Sequence, residues 1–167
     1  MKIPTKLVKY APVNGQRTGV HQLDDEALSA IAEGIGGADP CALVPDGEHR
    51  RWGLVVRTPL YEAWVIAWPR GTGLAMHDHQ GSRAAVAVVQ GALRERFVDA
   101  TRSRVVARHL EPGDVVLLPA DHVHEVVNVG DVEAVSVHVY SPPLADVAFR
   151  LDPDLDLAGV SESLADA

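Results

Sequence analysis

Apolar residues recur at helical spacing in one early segment of the chain, between Gln22 and Glu33. Asp24, Asp25 and Glu26 favour a helix N-terminus there, because negative charge complements the positive end of the helix dipole. Glycines at 34, 36 and 37 are expected to end the helix. The pattern therefore predicts one short helix after an irregular arm over residues 1–20. Its apolar positions are Leu23, Ala27, Leu28, Ala30 and Ile31.

From about residue 50 the pattern changes to short β-type runs, separated by turn residues such as Gly91 and Pro112-Gly113. Eight or nine such runs without intervening helices predict an all-β fold, an antiparallel jelly-roll sandwich or barrel, on the order of 90 residues long. We expect a single domain with an arm and helix at 1–45, a barrel at 46–143 and an acidic tail at 144–167. The runs are LVVR, YEAWVIAW, LAMHDH, AAVAVVQ, LRERFVD, RVVARHL, DVVLLP, HEVVNV and AVSVHVY.

Composition narrows the classes of partner. A net charge of −8 argues against nucleic acid, which requires a positive surface. Cys41 is the only cysteine among the 167 residues, so no internal disulfide can form and a reducing cytoplasm is the expected location. No apolar run resembles a signal peptide or a membrane span. We expect small-molecule partners, no nucleic-acid or membrane partner, and a monomer or small homo-oligomer.

The clearest chemical signal is the HDH run at His77 and His79. Two residues with one between them lie on the same face of a strand, so both imidazoles can reach one metal ion. The spacing around them resembles the first sequence motif of the cupin superfamily. Where that motif normally has a metal-binding glutamate, this chain has Ala84. The matching positions are Gly71, His77, His79 and Gly91.

A second group of residues about 30 positions later resembles the second cupin motif. It offers His124 as the third metal ligand, because His124 keeps the spacing to both Pro119 and Asn128. His122 has the same strand parity and is the rival candidate. The full pattern is Gly113-x5-Pro119-x-Asp121-x2-His124-x3-Asn128, with Asp121 in place of a turn glycine.

Three neutral imidazoles leave a bound divalent ion with its full charge. Iron(II) would keep open positions on one side for substrate, and an anionic ligand such as a thiolate would compensate the charge. Zinc also accepts three histidines, so the ligands alone do not identify the metal.

A late strand carries further polar residues on one face. Ser136, His138 and Tyr140 alternate with valines in the run SVHVY. One interpretation is an amphipathic strand with a solvated polar face. The other is a buried relay, in which Ser136 sets the tautomer of His138 and His138 orients the Tyr140 hydroxyl.

Taken together, residues 49–143 resemble the cysteine dioxygenase (thiol dioxygenase) family of cupins. The resemblance rests on W-x8-HDH-x2-S from Trp68, Gln90-Gly91, H-x-V-x-N from His124 and SVHVYSPP from Ser136. It implies a cupin barrel with Fe(2+) at the three histidines, which converts L-cysteine and O2 to cysteine sulfinate. It also implies catalytic roles for Tyr140, His138 and Ser136, and a cis bond before Pro142.

Two departures from the family pattern affect the chemistry. Mammalian members have a cysteine at the Ala84 position, crosslinked to the active-site tyrosine, so Tyr140 here must be a free phenol. The family's Tyr-x-Arg pair on an early strand falls, by an ungapped count from Trp68, on His49 and Arg51.

The resemblance therefore implies a substrate site at His49, Arg51 and Trp68, with Arg57 on the same strand face as Arg51. An arginine fork suits a carboxylate, and the choice among Arg50, Arg51 and Arg57 stays open. Two alternatives for function remain. One is a dioxygenase for another small thiol such as 3-mercaptopropionate, and the other is a non-oxidative metal-binding cupin, an isomerase or small-molecule-binding module.

Overall fold

The computed structural model describes residues 21–44, 47–99, 104–145 and 148–149. The predicted arm over 1–20 and nearly all of the predicted tail lie outside these residues. In chain order the elements are α1 Asp25–Gly36, a 3-10 helix Pro40–Leu43, and the strands β1 Arg51–Arg57, β2 Glu62–Trp68, β3 Gly73–Asp78, β4 Arg83–Gln90, β5 Leu93–Asp99, β6 Arg104–Leu110, β7 Val115–Leu118, β8 His124–Asn128, β9 Ala134–Ser141 and β10 Ala148–Phe149.

The described strands form two antiparallel sheets packed face to face. One sheet has the order β1-β2-β9-β4-β7 and the other the order β10-β3-β8-β5-β6. The chain passes between them at tight turns such as Gly91, whose φ of 67° is left-handed and whose added Cβ would lie 2.7 Å from the Ala134 Cα. The prediction of an all-β jelly-roll fold with a short N-terminal helix is confirmed.

Helix α1 covers the outer face of the first sheet. Its N-cap is Asp24, whose side chain accepts a hydrogen bond from the Ala27 N–H at 2.9 Å. Leu28 and Ala32 are fully buried against alternate apolar residues of β2, β4 and β9. The helix continues past Gly34 to Gly36, further than expected, because Ile35 still packs on this core.

Strand β9 is buried on both of its faces along its whole length. Its valines pack beneath α1, while Ser136, His138 and Tyr140 face the interior between the sheets. The position of β9 between β2 and β4 therefore places a row of polar side chains inside the barrel.

The last described strand extends the second sheet beyond residue 143, where the barrel was expected to end. In β10, Ala148 pairs with Asp78 and Phe149 with His77 of β3. Among the described residues, no helix has the length and apolar character needed to cross a membrane.

Candidate metal centre

Three buried histidines meet where β3 pairs with β8. His77 lies near the end of β3 with His79 just beyond it, and His124 begins β8 directly opposite His77. Each side chain is at most 3% exposed. Their candidate ligand nitrogens all lie within 4.8 Å of one another, and the Nε2 atoms of His79 and His124 are 3.3 Å apart. The structure thus brings the three predicted ligands together.

Hydrogen bonds set the tautomers of two of these rings. The Nδ1 of His77 lies 2.8 Å from the Ala75 carbonyl, and the Nδ1 of His124 lies 2.7 Å from Glu95 Oε1. A carbonyl and a carboxylate only accept, so both Nδ1 atoms carry the proton. The Nε2 of each ring is left with its lone pair available for a metal.

Burial also keeps the three rings neutral. It is the main cause that lowers the pKa values of His77, His79 and His124, and positive charge on neighbouring histidines lowers them further. Neutral imidazoles with converging lone pairs are what a divalent transition metal requires. The donor set therefore fits such a metal.

A buried carboxylate that sequence reasoning missed lies behind His124. Glu95 is 1% exposed, and its Oε1 accepts from His124 and, at 2.8 Å, from His122 Nε2. Burial acts to raise the pKa of Glu95, but these hydrogen bonds and the charge of Arg108 outweigh it and hold the pKa below its usual range. His122, the rival ligand, thus binds Glu95. A signal existed, because Glu95 shares strand parity with apolar Leu93.

The polar residues of β9 form a continuous hydrogen-bonded chain next to the histidines. Ser136 Oγ lies 2.8 Å from His138 Nε2, and His138 Nδ1 lies 3.1 Å from the Tyr140 hydroxyl. The Tyr140 ring centre is 5.0 Å from that of His79. None of the three side chains is more than 6% exposed, so this face of β9 is not solvated.

Trp68 determines which groups donate and which accept along this row of hydrogen bonds. Its indole N–H donates to Ser136 Oγ at 2.8 Å, and among the described residues His138 is the other partner of that hydroxyl. Because an indole N–H can only donate, Ser136 donates onward to His138 Nε2, and His138 Nδ1–H donates to Tyr140. The Tyr140 proton is then left to point toward a ligand.

The electrostatics of the relay agree with that direction. Burial lowers the pKa of His138, and the proximity of His124 and Arg50 lowers it further, to about 3, so its ring is neutral. Burial, helped by Glu62, raises the pKa of Tyr140, so its hydroxyl keeps its proton. Tyr140 can therefore act as a hydrogen-bond donor at neutral pH.

The arginines near β1 differ in their surroundings. Arg51, expected from the ungapped count, forms an ion pair with Glu133 at 2.8 Å. The Arg50 guanidinium carbon lies 5.4 Å from the Trp68 ring centre and 5.5 Å from that of Trp52. Burial lowers the pKa of Arg50, and its charge in turn favours ionisation of Tyr140. Arg50 is therefore a partly buried cation that acts electrostatically on Tyr140.

A β-bulge in β1 changes the predicted faces of its arginines. Leu54 pairs with Trp64 and Val56 with Ala63, so β1 contains one extra residue relative to β2. An extra residue reverses the faces beyond it, so Arg51 and Arg57, on either side of the bulge, do not share the face that strict alternation predicted.

The remaining residues expected at a substrate site have the following surroundings. His49 is exposed, and Arg57 forms an ion pair with the buried Glu62 at 2.6 Å. Trp68 is buried and contacts Ser136 and Arg50. Trp68 thus contacts the relay at Ser136, the end opposite Tyr140.

Comparison with known proteins agrees with this arrangement. The family model for cysteine dioxygenase type I matches residues 42–150. The chain belongs to this family. Cysteine dioxygenase type 1 of Danio rerio is 30% identical over 93 residues, which cover 50% of this chain and 46% of the relative. The chain thus spans about half the length of that relative.

Solved structures show the same fold at lower identity. A Klebsiella pneumoniae protein with a double-stranded β-helix domain matches with a TM-score of 0.55 and 21% identity, over 65% of this chain and 90% of its own. A Thermus thermophilus protein matches with a TM-score of 0.55 and 22% identity, over 63% and 95%. These likenesses support the cupin fold alone.

Ala84 is the position at which this cysteine dioxygenase family member lacks the usual cupin glutamate. Ala84 is fully buried and lies directly opposite Tyr140 in the pairing of β4 with β9. Its methyl group offers neither a carboxylate for a metal nor a thiol for a crosslink. Cys41 belongs to the 3-10 helix on the helix side of the sheet. Tyr140 is therefore an uncrosslinked phenol.

Proposed function

We propose that the protein is a non-haem iron(II) thiol dioxygenase that converts L-cysteine and O2 to cysteine sulfinate, with both oxygen atoms added to sulfur. The observation that carries the proposal is the directed hydrogen-bond chain that ends at Tyr140 beside the three histidines. A centre that only held a metal would not need a buried hydroxyl donor at its edge.

In this proposal His77, His79 and His124 hold the iron. When bound, the iron supplies one site at which thiolate and O2 meet in a reactive arrangement. A ligand set without a carboxylate favours an anionic substrate, and metal binding keeps a thiol deprotonated. Ala84, which replaces the usual glutamate, therefore supports a thiolate as the substrate group.

The protein's own residues then orient the substrate. Tyr140 donates its hydroxyl proton in a hydrogen bond toward the reacting atoms, and His138 and Ser136 hold it in that orientation. Arg50 binds the substrate carboxylate, because its desolvated guanidinium contacts Trp68 and acts electrostatically on Tyr140. Burial of the histidines excludes bulk water. We place the enzyme in the cytoplasm, where thiols stay reduced.

Oxygen consumption with a panel of thiols tests this proposal. The protein is loaded anaerobically with iron(II), mixed with cysteine, 3-mercaptopropionate or cysteamine, and followed with an oxygen electrode and mass spectrometry of the product. We expect cysteine to give a sulfinate two oxygen atoms heavier. The Tyr140→Phe variant should lose at least about 100-fold in kcat/KM, a typical value for a missing proton donor, while its iron content stays unchanged.

Other results would point to the alternatives. Higher kcat/KM with 3-mercaptopropionate than with cysteine would change the substrate but keep the reaction. No thiol-dependent O2 uptake with any of the three, together with stoichiometric zinc in protein purified without added metal, would overturn the proposal in favour of a non-oxidative cupin.

A further inference from the structure

Glu95 is a buried acidic residue that lies outside the predicted ligand set. It lies on β5, which pairs with β8, and its side chain is 1% exposed. Its Oε1 is 2.7 Å from His124 Nδ1 and 2.8 Å from His122 Nε2, and its Oε2 accepts from Arg108 Nε. Both carboxylate oxygens therefore have nitrogen donors.

A carboxylate is costly to bury, and the molecule satisfies this one fully. The metal site itself has no carboxylate ligand, because Ala84 replaces the usual glutamate. Glu95 places a negative charge one imidazole away, behind the ring of His124. A carboxylate hydrogen-bonded to a ligating imidazole fixes the tautomer of the ring and increases its basicity.

The three histidines differ in this respect. His77 donates through Nδ1 to a neutral carbonyl, and within the described part of the chain His79 Nδ1 has no hydrogen-bond partner. Of these three rings, His124 is the one backed by a carboxylate.

We propose that Glu95 is a positioning residue that holds His124 with Nε2 toward the metal and makes it the strongest donor of the three. The proposal rests on the proposed function in one respect, which is that the three histidines bind a metal. His122 completes the arrangement, since its Nε2–H shares the same carboxylate oxygen. Glu95, His122 and His124 could themselves enclose a cation, but the Arg108 guanidinium already neutralises Glu95 from its other oxygen.

Metal affinity of the metal-free protein tests the proposal without reference to catalysis. Co(II) binding is measured by calorimetry and by the visible spectrum for wild type and Glu95→Gln. We expect Glu95→Gln to bind Co(II) about 10- to 100-fold more weakly, with shifted d–d bands, because Gln is uncharged. Glu125→Gln is the matched control, since Glu125 is the neighbour of His124 on β8 but pairs with Arg94 and Arg96. It should bind as wild type does.

A second variant separates positioning from stability. Glu95→Gln leaves Arg108 without its carboxylate, so the double variant Glu95→Gln/Arg108→Gln removes both charges. We expect the double variant to melt closer to wild type by circular dichroism, while its Co(II) affinity stays low. If either Glu95→Gln or the double variant does not fold, the Co(II) affinity of the one that folds tests the role of Glu95.

The outcomes for the two proposals are distinct. Wild type that binds no Co(II) would overturn the metal centre and the proposed function with it. Wild type that binds Co(II), with Glu95→Gln or the double variant binding equally tightly and with an unchanged spectrum, would overturn the role of Glu95 alone.

Discussion

Arg50 and Arg51 are neighbours in the sequence, but their guanidinium groups have different partners. Arg51 is held by Glu133, whereas Arg50 contacts the Trp52 and Trp68 rings and acts on Tyr140. We expect Arg50→Gln to raise KM for cysteine about 10- to 100-fold, since a hydrogen bond to a charged group contributes roughly 1.5–3 kcal/mol. Cysteamine, which has no carboxylate, should be oxidised as before. Steady-state O2 uptake with both thiols measures this.

Arg51→Gln is the control for that substitution. It removes a guanidinium one residue away and breaks the ion pair with Glu133, so KM for cysteine should change by less than about twofold. If Arg51→Gln raised KM for cysteine and Arg50→Gln did not, Arg51 would be the residue that binds the substrate carboxylate.

Residues such as Arg50 and Glu95 show where local pattern stops being sufficient. The HDH spacing and the second motif predicted His77, His79 and His124 because ligands on one strand follow its period of two. The difference between Arg50 and Arg51 depended on Trp68 and Glu133, partners far along the chain that a local pattern does not show. The role of Glu95 depended on which strand lies next to β8, a long-range pairing.

Strand β9 shows the same limit for a whole element. Its alternation predicted that Ser136, His138 and Tyr140 share a face, but not whether that face meets water. The answer comes from its neighbours, because β2 and β4 flank it and α1 and the opposite sheet cover its two sides. A polar row can be buried in this way because Trp68 donates to Ser136 and the three polar side chains bond to one another.

Helix α1 seals the apolar side of that strand. Leu28 is fully buried against it, so Leu28→Ala should lower the free energy of unfolding by about 2–5 kcal/mol through lost burial and a cavity. Urea denaturation of the metal-free protein measures this. Leu43→Ala is the control, because Leu43 is 52% exposed and should cost less than about 0.5 kcal/mol. If Leu28→Ala lowered the free energy of unfolding as little as Leu43→Ala does, the packing of α1 would not stabilise the barrel.

The fold of the molecule as a whole was the easiest property to predict. Short strands with turn residues between them admit few architectures, and a jelly roll is one in which two distant motifs meet. The ligands from β3 and β8 come together because these strands pair, although some 45 residues separate them in the sequence. Sequence patterns predict where the strands lie and which residues share a face. The order of the strands in each sheet depends on how all the strands pack together.

The buried histidines also make the stability of the whole molecule depend on pH. His77, His79, His124 and His138 are kept neutral in the folded state, with the pKa of His138 at about 3. The unfolded chain protonates these rings near an ordinary pKa of roughly 6.5. Below that pH the unfolded state binds more protons than the folded state, so the free energy of unfolding falls as the pH falls.

The size of this effect can be assigned to one ring. Each fully linked histidine contributes about 1.4 kcal/mol per pH unit. His138→Gln removes one such group but keeps an amide between Ser136 and Tyr140, so its free energy of unfolding should fall less steeply than that of wild type by about that amount. Urea denaturation with a chelator, between roughly pH 5 and 6, measures how the free energy of unfolding of each protein depends on pH. This range lies above the pH at which most carboxyl groups take up protons. Identical slopes would mean that His138 titrates alike in the folded and unfolded states, and the relay would then not be buried as a neutral chain.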